Sequence, residues 1–148
     1  VEMKPKGFKN AHGMHGECVG IGTIMCARAY HELAKRDTIE VKPYEPLDPA
    51  WVRDVFGDLA DGIFKENEND VLKTFPPENI KEHWQEIRDI IATIPTAEEL
   101  IDLYTKIGAK HSLAELDIDE SIRGEFLDIS SAIRNRLTFA RMTRLIVK

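Results

Sequence analysis

Apolar residues recur along this chain at helical spacing, and prolines, glycines and short polar runs cut the pattern into segments. From Met14 to about Arg36 almost no polar face is left. Val19, Thr23, Cys26, Tyr30 and Leu33 form one stripe, and Ile21, Ile24, Met25 and Ala29 fill most of the rest. A helix apolar nearly all round is expected to be buried. Gly20 and Gly22 each cost about 1 kcal/mol against alanine in a helix interior, which makes sense where another backbone or a ligand approaches closely.

Residues 1 to 11 are polar, carry Gly and Pro, and read as an incoming loop. Residues 37 to 47 read as an extended connector, because Pro43 and Pro46 forbid a helix interior. The alternation Thr38–Val41 allows one short edge strand at most. Asp48-Pro49 supplies an N-cap followed by proline at the first helical position, opening a helix with Trp51, Val52, Val55 and Phe56 that Gly57 breaks. Leu59, Ala60, Ile63 and Phe64 continue an apolar face, and Glu66 to Asp70 reads as a solvated acidic stretch. After Pro76-Pro77, the positions Ile80, Trp84, Ile87, Ile91 and Ile94 make the clearest amphipathic helix, stopped by Pro95. Thr96-Ala97-Glu98-Glu99 is a capping box for a helix bearing Leu100, Ile101, Tyr104 and Ile107, with Gly108 as its stop. Ser112 to Glu115 repeats the box on a short turn. Asp119 can cap a helix with Ile122, Phe126, Ile129 and Ile133, and a last segment runs from about Leu137 to Ile146. The expectation is one all-α domain over residues 1–148, a bundle-like array of six to seven helices.

At 148 residues the chain is long enough for one core. Its 43% hydrophobic and 31% charged residues are those of a folded globular protein. A net charge of −6 argues against a nucleic-acid surface. No apolar run reaches the ~18 residues of a membrane span and no targeting motif is visible, so the cytoplasm is the expected location. Cys18 and Cys26 are eight apart, roughly 12 Å of helical rise, too far for a disulfide. They read as small buried hydrophobes in a reducing compartment.

Candidate chemistry concentrates in His12-Gly13-Met14-His15-Gly16-Glu17-Cys18-Val19-Gly20-Ile21-Gly22-Thr23. His15, at a helix start, can offer its lone pair to a metal or can be an ordinary helix-end histidine, since zinc needs three or four ligands and few are near. His12 can reach the same site or be a loop residue. Glu17 shares no helical face with His15. Arg134, Arg136, Arg141 and Arg144 make the only basic cluster. Arg134 and Arg141 share a face if their helix is continuous, and arginine suits bidentate phosphate contact. The alternative is a solvated face or pairing with the many carboxylates. Trp51 and Trp84 read as core, and His31, His83 and His111 as ordinary surface or half-buried residues.

The segment His15-Gly16-Glu17-x-Val19-x-x-Gly22 resembles that of the superfamily joining 3-dehydroquinate synthase to the metal-dependent, iron-containing-type alcohol and glycerol dehydrogenases. Within it, the chain resembles bacterial-type sn-glycerol-1-phosphate dehydrogenases. Further stretches in common are Val1-Glu2-Met3-Lys4, Trp84-Gln85-Glu86-Ile87-Arg88, Ile94-Pro95-Thr96-Ala97-Glu98-Glu99 to Gly108-Ala109, and Ile133-Arg134-Asn135-Arg136-Leu137-Thr138. The resemblance spans nearly the whole chain but only the C-terminal helical half of such an enzyme. It implies that His15 is the second of two metal-binding histidines, the other histidine and an aspartate standing upstream of the motif. The nucleotide-binding half is absent from this sequence, which has no Gly-rich phosphate loop.

The implied parent is an oxidoreductase that uses a divalent metal (zinc, nickel or iron) and NAD(P). It interconverts dihydroxyacetone phosphate and sn-glycerol 1-phosphate, or a related glycerol-type polyol, the metal acting as Lewis acid while hydride passes between nicotinamide and C2. His12, Arg134 and Arg136 are candidate contacts to the small phosphorylated substrate. Partners are that substrate, the upstream nucleotide-binding domain and, where assembly occurs, copies of the chain itself, with neither nucleic acid nor a membrane. The fragment alone is expected to be inactive and to bind nicotinamide weakly or not at all. Two rivals remain: a 3-dehydroquinate synthase-like lyase, against which the long 48–94 insertion and the 133–138 stretch argue, and a non-catalytic helical interaction module.

Overall fold

A computed structural model describes residues 12–148, so the incoming loop expected over residues 1 to 11 lies outside the described residues. The fold is all-helical. Among the described residues eight α-helices follow one another: α1 (His15–Ala34), α2 (Pro49–Phe56), α3 (Ala60–Glu66), α4 (Glu78–Glu82), α5 (Trp84–Ala92), α6 (Ala97–Lys106), α7 (Phe126–Ile133) and α8 (Phe139–Met142), with short 3-10 turns between several of them. The alternation at Thr38–Val41 yields a single antiparallel bridge, Val41 to Ile146, held by Lys42 N–H to Leu145 O and Val147 N–H to Glu40 O, each 2.8 Å. No described helix is long and apolar enough to cross a membrane.

Local sequence signals set most helix ends. Asp48 accepts from Ala50 N–H at 2.9 Å with Pro49 at the first helical position, so α2 starts there. Thr96 and Glu99 cap α6 reciprocally. At its other end Gly108 takes φ +68°, and the N–H groups of Gly108 and Ala109 donate back to Thr105 and Tyr104 carbonyls at 3.1 and 2.9 Å, the paired bonds of a Schellman stop. Gly57, at φ +52°, separates α2 from α3 as expected.

Two expected helices are interrupted. The Ile80–Ile94 pattern splits into α4 and α5 at His83, whose backbone sits at φ −100°, ψ 18°. Trp84, just past the bend, is buried and its indole N–H donates to Arg36 O at 2.9 Å. The Ile122–Ile133 pattern splits likewise. Residues Glu120–Gly124 form a 3-10 turn capped by Asp119, and α7 starts only at Phe126. Both halves of each pattern still bury their apolar side chains, so the periodicity registers the buried face but not the continuity of the backbone.

The core lies in three clusters. One joins α2 and α3 to α7 through Val52, Phe56, Ile63 and Ile129. A second sets Ile21 and Met25 of α1 against Leu116 and Ile122. The third gathers Leu72, Ile80, Trp84 and Leu145. Truncating any of the fully buried members, Ile63, Leu72 or Leu116, is a change of the 2–5 kcal/mol class.

Candidate functional site

Helix α1 is less covered than its sequence suggests. Ile21, Ile24, Met25 and Ala27 are buried, but the described residues leave the opposite side of its first two turns bare: His15 and Cys18 are exposed and Val19 is 53% exposed. At 100° per residue, His15, Val19 and Gly22 fall on that same side. Among the described residues, nothing lies within 4 Å of where a β-carbon would sit at Gly16 or Gly22. Gly20 faces the other way, where a β-carbon would come within 2.7 Å of the Tyr104 ring of α6. Of the two glycines, then, one accommodates a packed ring and the other borders open space. Cys18, expected to be buried, is an exposed free thiol. Cys26 is half-buried, and burial pushes its thiol up.

Glu17 serves its own helix. Its carboxylate accepts from Met14 N–H at 2.8 Å and pairs with Lys110 at 3.3 Å. The Met14 N–H is the main reason its carboxyl is held below the usual range, with partial burial opposing and Lys110 assisting. His12 is tied to the loop after α6: its N–H donates to Leu116 O at 3.0 Å, and its Nδ1 lies 3.0 Å from the carboxylate of Asp117, a residue in the left-handed region at φ 52°. The His15 side chain makes no hydrogen bond or ion pair among the described residues. No cluster of three or more His, Cys, Asp or Glu able to hold a metal is found among those residues either. His15 therefore presents one free donor, and a divalent ion there needs its remaining ligands from outside the described residues.

The basic cluster divides in two. Helix α7 ends at Ile133 and Arg134 is extended (φ −135°, ψ 128°), so Arg134 and Arg141 do not share a helical face. Arg141 is fully buried. Its Nε donates to Asp70 Oδ1 at 3.0 Å, its Nη1 to the carbonyls of Ser131 and Arg134 at 2.6 and 2.9 Å, and its Nη2 to Asn67 Oδ1 and, at 3.0 Å, to Asp70 Oδ2. Arg144 adds a bond to Asp70 Oδ2 at 2.9 Å. Burial alone pushes the Asp70 carboxyl up, but bonds from Arg141, Leu72 N–H and Arg144 override it and hold it below the ordinary carboxylate range. Asp70 is thus a buried counter-ion and not part of a solvated acidic stretch. Arg134 and Arg136 remain exposed at the surface. Among the described residues no hydrogen bond or ion pair joins them to His12 or His15: His12 is tied to Leu116 and Asp117, and the turn that carries the arginines is bonded to Glu66, Asn69 and Val71.

Asn67, Asp70 and Asn135 are the residues that the sequence pattern left out. Asp70 had a local signal, since it caps the 3-10 turn Val71–Thr74 by accepting from Leu72 N–H at 3.0 Å. The other histidines and both tryptophans hold structural contacts. His31 Nε2 meets Ile94 O at 2.9 Å, His83 meets Glu86, and Trp51 donates its indole N–H to Glu125 at 3.1 Å.

Compared with known proteins, the chain matches no family model, no curated protein and no solved structure.

Proposed function

We propose that this chain is the helical half of a metal- and NAD(P)-dependent oxidoreductase of the glycerol-1-phosphate dehydrogenase type, equivalent to the C-terminal domain of the dehydroquinate synthase-like fold. The observation that carries this reading is the placement of the His15-Gly16-Glu17-x-Val19-x-x-Gly22 segment. It forms the first two turns of a 20-residue helix, with His15, Val19 and Gly22 on a side that the described chain leaves bare. Glu17, on the inward side, fastens the helix start through Met14 N–H and Lys110.

Such a division of labour suits an enzyme whose active site lies between two domains. Here the helical half supplies one imidazole at a rigid helix end, and the nucleotide-binding half supplies the cofactor loop and the remaining ligands. The bound metal contributes Lewis-acid polarisation of the substrate oxygen. The location proposed for the parent is the cytoplasm.

The test is an assay of the full-length protein that contains this chain, with dihydroxyacetone phosphate, NADH or NADPH, and zinc, nickel or iron. The expected result is metal-dependent reduction that His15→Ala lowers by more than ~100-fold, because changes in groups that only support a ligand already cost about 10–100-fold. Absence of reduction with every metal rejects the reading. Release of phosphate from the seven-carbon substrate of dehydroquinate synthase assigns the protein to the lyase instead.

A further inference from the structure

The connector between α1 and α2 does more than join them. Pro43 and Pro46 keep it extended, so it has no helical face to lay over the end of the chain. It is pinned at three points: Lys42 N–H donates to Leu145 O at 2.8 Å, Arg144 Nη2 to Glu45 O at 3.2 Å, and Ala50 N–H to the Asp48 cap at 2.9 Å. Together with α2, the start of α7 and the C-terminal segment, it encloses a cleft of about 600 Å³.

The floor of the cleft is Leu72, Leu145 and Ile146, all buried, and its walls include Tyr44, Leu47 and Trp51, all half-buried. Trp51 is held in place. Its ring meets Phe56 edge-to-face at 6.0 Å, and its indole N–H donates to Glu125 at 3.1 Å. An apolar cleft of this size with a few fixed polar groups suits a small molecule. Charge decides which kind. Each cation of the lining already has a carboxylate: Lys42 with Glu45 at 2.8 Å, Arg144 with Asp70 at 2.9 Å, and Lys148 with Asp128 at 2.6 Å. An entering anion would have to displace one of them. Two lining carboxylates, Asp48 and Glu125, have no cation among the described residues. The unmatched charge is therefore negative, and one of its bearers is bonded to an indole, whose face also attracts cations.

We propose that this cleft binds an organic ammonium ion with a flat apolar body. The ammonium is held by Asp48 and Glu125 beside Trp51, and the body lies on the floor of Leu72, Leu145 and Ile146. A lining pinned by the bridge, the cap and Arg144 loses little freedom on binding. The site shares no residue with the His15 end of α1 and does not rest on the dehydrogenase reading. Amine binding without dihydroxyacetone phosphate reduction would keep the first and reject the second.

The test is a titration of the 148-residue chain with phenethylammonium, and separately with phenylacetate and N-acetylphenethylamine, followed by the two indole N–H signals. The Trp84 indole, buried and bonded to Arg36 O, is the internal control. The expected result is saturable binding of the ammonium with a Kd on the order of 1 mM, a moving Trp51 signal and a still Trp84 signal. The anion and the neutral amide should bind about 5-fold more weakly or worse, the scale of two exposed ion pairs. Asp48→Asn/Glu125→Gln removes both charges while keeping the helix cap and the acceptor for the Trp51 N–H, and should weaken ammonium binding by the same ~5-fold. Non-saturating shifts, equal movement of both indole signals, phenylacetate or the amide binding as tightly as the ammonium, or unchanged affinity in the double variant would overturn the proposal.

Discussion

The two ends of this molecule's candidate chemistry are built in opposite ways. At the start of α1, His15, Cys18 and Val19 face outward beside the open Gly22 and make few polar contacts. Around Arg141, every nitrogen of a fully buried guanidinium is used, by Asp70, Asn67 and two helix-end carbonyls. The first region has reactive groups and little to hold them beyond the helix itself. The second has many constraints and no group left over to react. Chemistry needs free donors, and stability of a unique conformation needs satisfied ones. Abundance of charge in the sequence does not distinguish these cases, since both regions read as clusters of able side chains.

The sharpest way to break this comparison is Arg141→Ala. Removing one partner of a buried pair strands Asp70, and the expected cost is about 3–5 kcal/mol in urea unfolding. A cost within the range of a surface substitution would show that the network is looser than its geometry. Acid probes the same bond from the other partner. The Asp70 carboxyl is held below its usual value, so its stabilisation is complete above the unfolded-state value near ~4 and is lost as pH falls through the lower folded one. Urea midpoints measured downward from about pH 5 should therefore fall steadily, and a flat profile would contradict the assignment.

Within α1, Gly20→Ala should destabilise by about 1–3 kcal/mol, because its methyl meets the Tyr104 ring at 2.7 Å. Gly22→Ala should do the reverse, gaining up to ~1 kcal/mol of helix propensity over open space. Equal effects from the two would mean that the helix has no bare side. Least of all, His15→Ala should change thermal unfolding of the isolated chain by no more than about 0.5 kcal/mol, as expected of a surface position. A large loss would mark it as a structural residue.

Much of the fold was legible because helix ends are written locally. Asp48-Pro49, Gly57, the Thr96–Glu99 box and Gly108 all act within four residues of themselves, and each acts where its pattern says. The bends at His83 and before Phe126 were not legible, because the apolar spacing runs unbroken across both. The fate of the arginines was not legible either. Arg141 and Arg134 belong to one stretch of sequence, and only the return of Asn67 and Asp70, some seventy residues earlier, sends one inside and leaves the other out. At α1 the all-apolar composition predicted burial on every side. Composition measures how much surface a helix could bury, not whether the described residues supply the cover.

The span of the Asp70–Arg141 bond, 71 residues, also dictates an order of assembly. As the chain leaves the ribosome, α2, α3 and the Asp70 turn are made long before their cation exists. Asp70 has to stay hydrated until α8 is synthesised and comes back to it. The third core cluster, which needs Leu145 and Ile146, closes in the same event. A nascent chain stopped anywhere short of α8 can therefore gather the first two core clusters but neither the third nor the cation that Asp70 awaits.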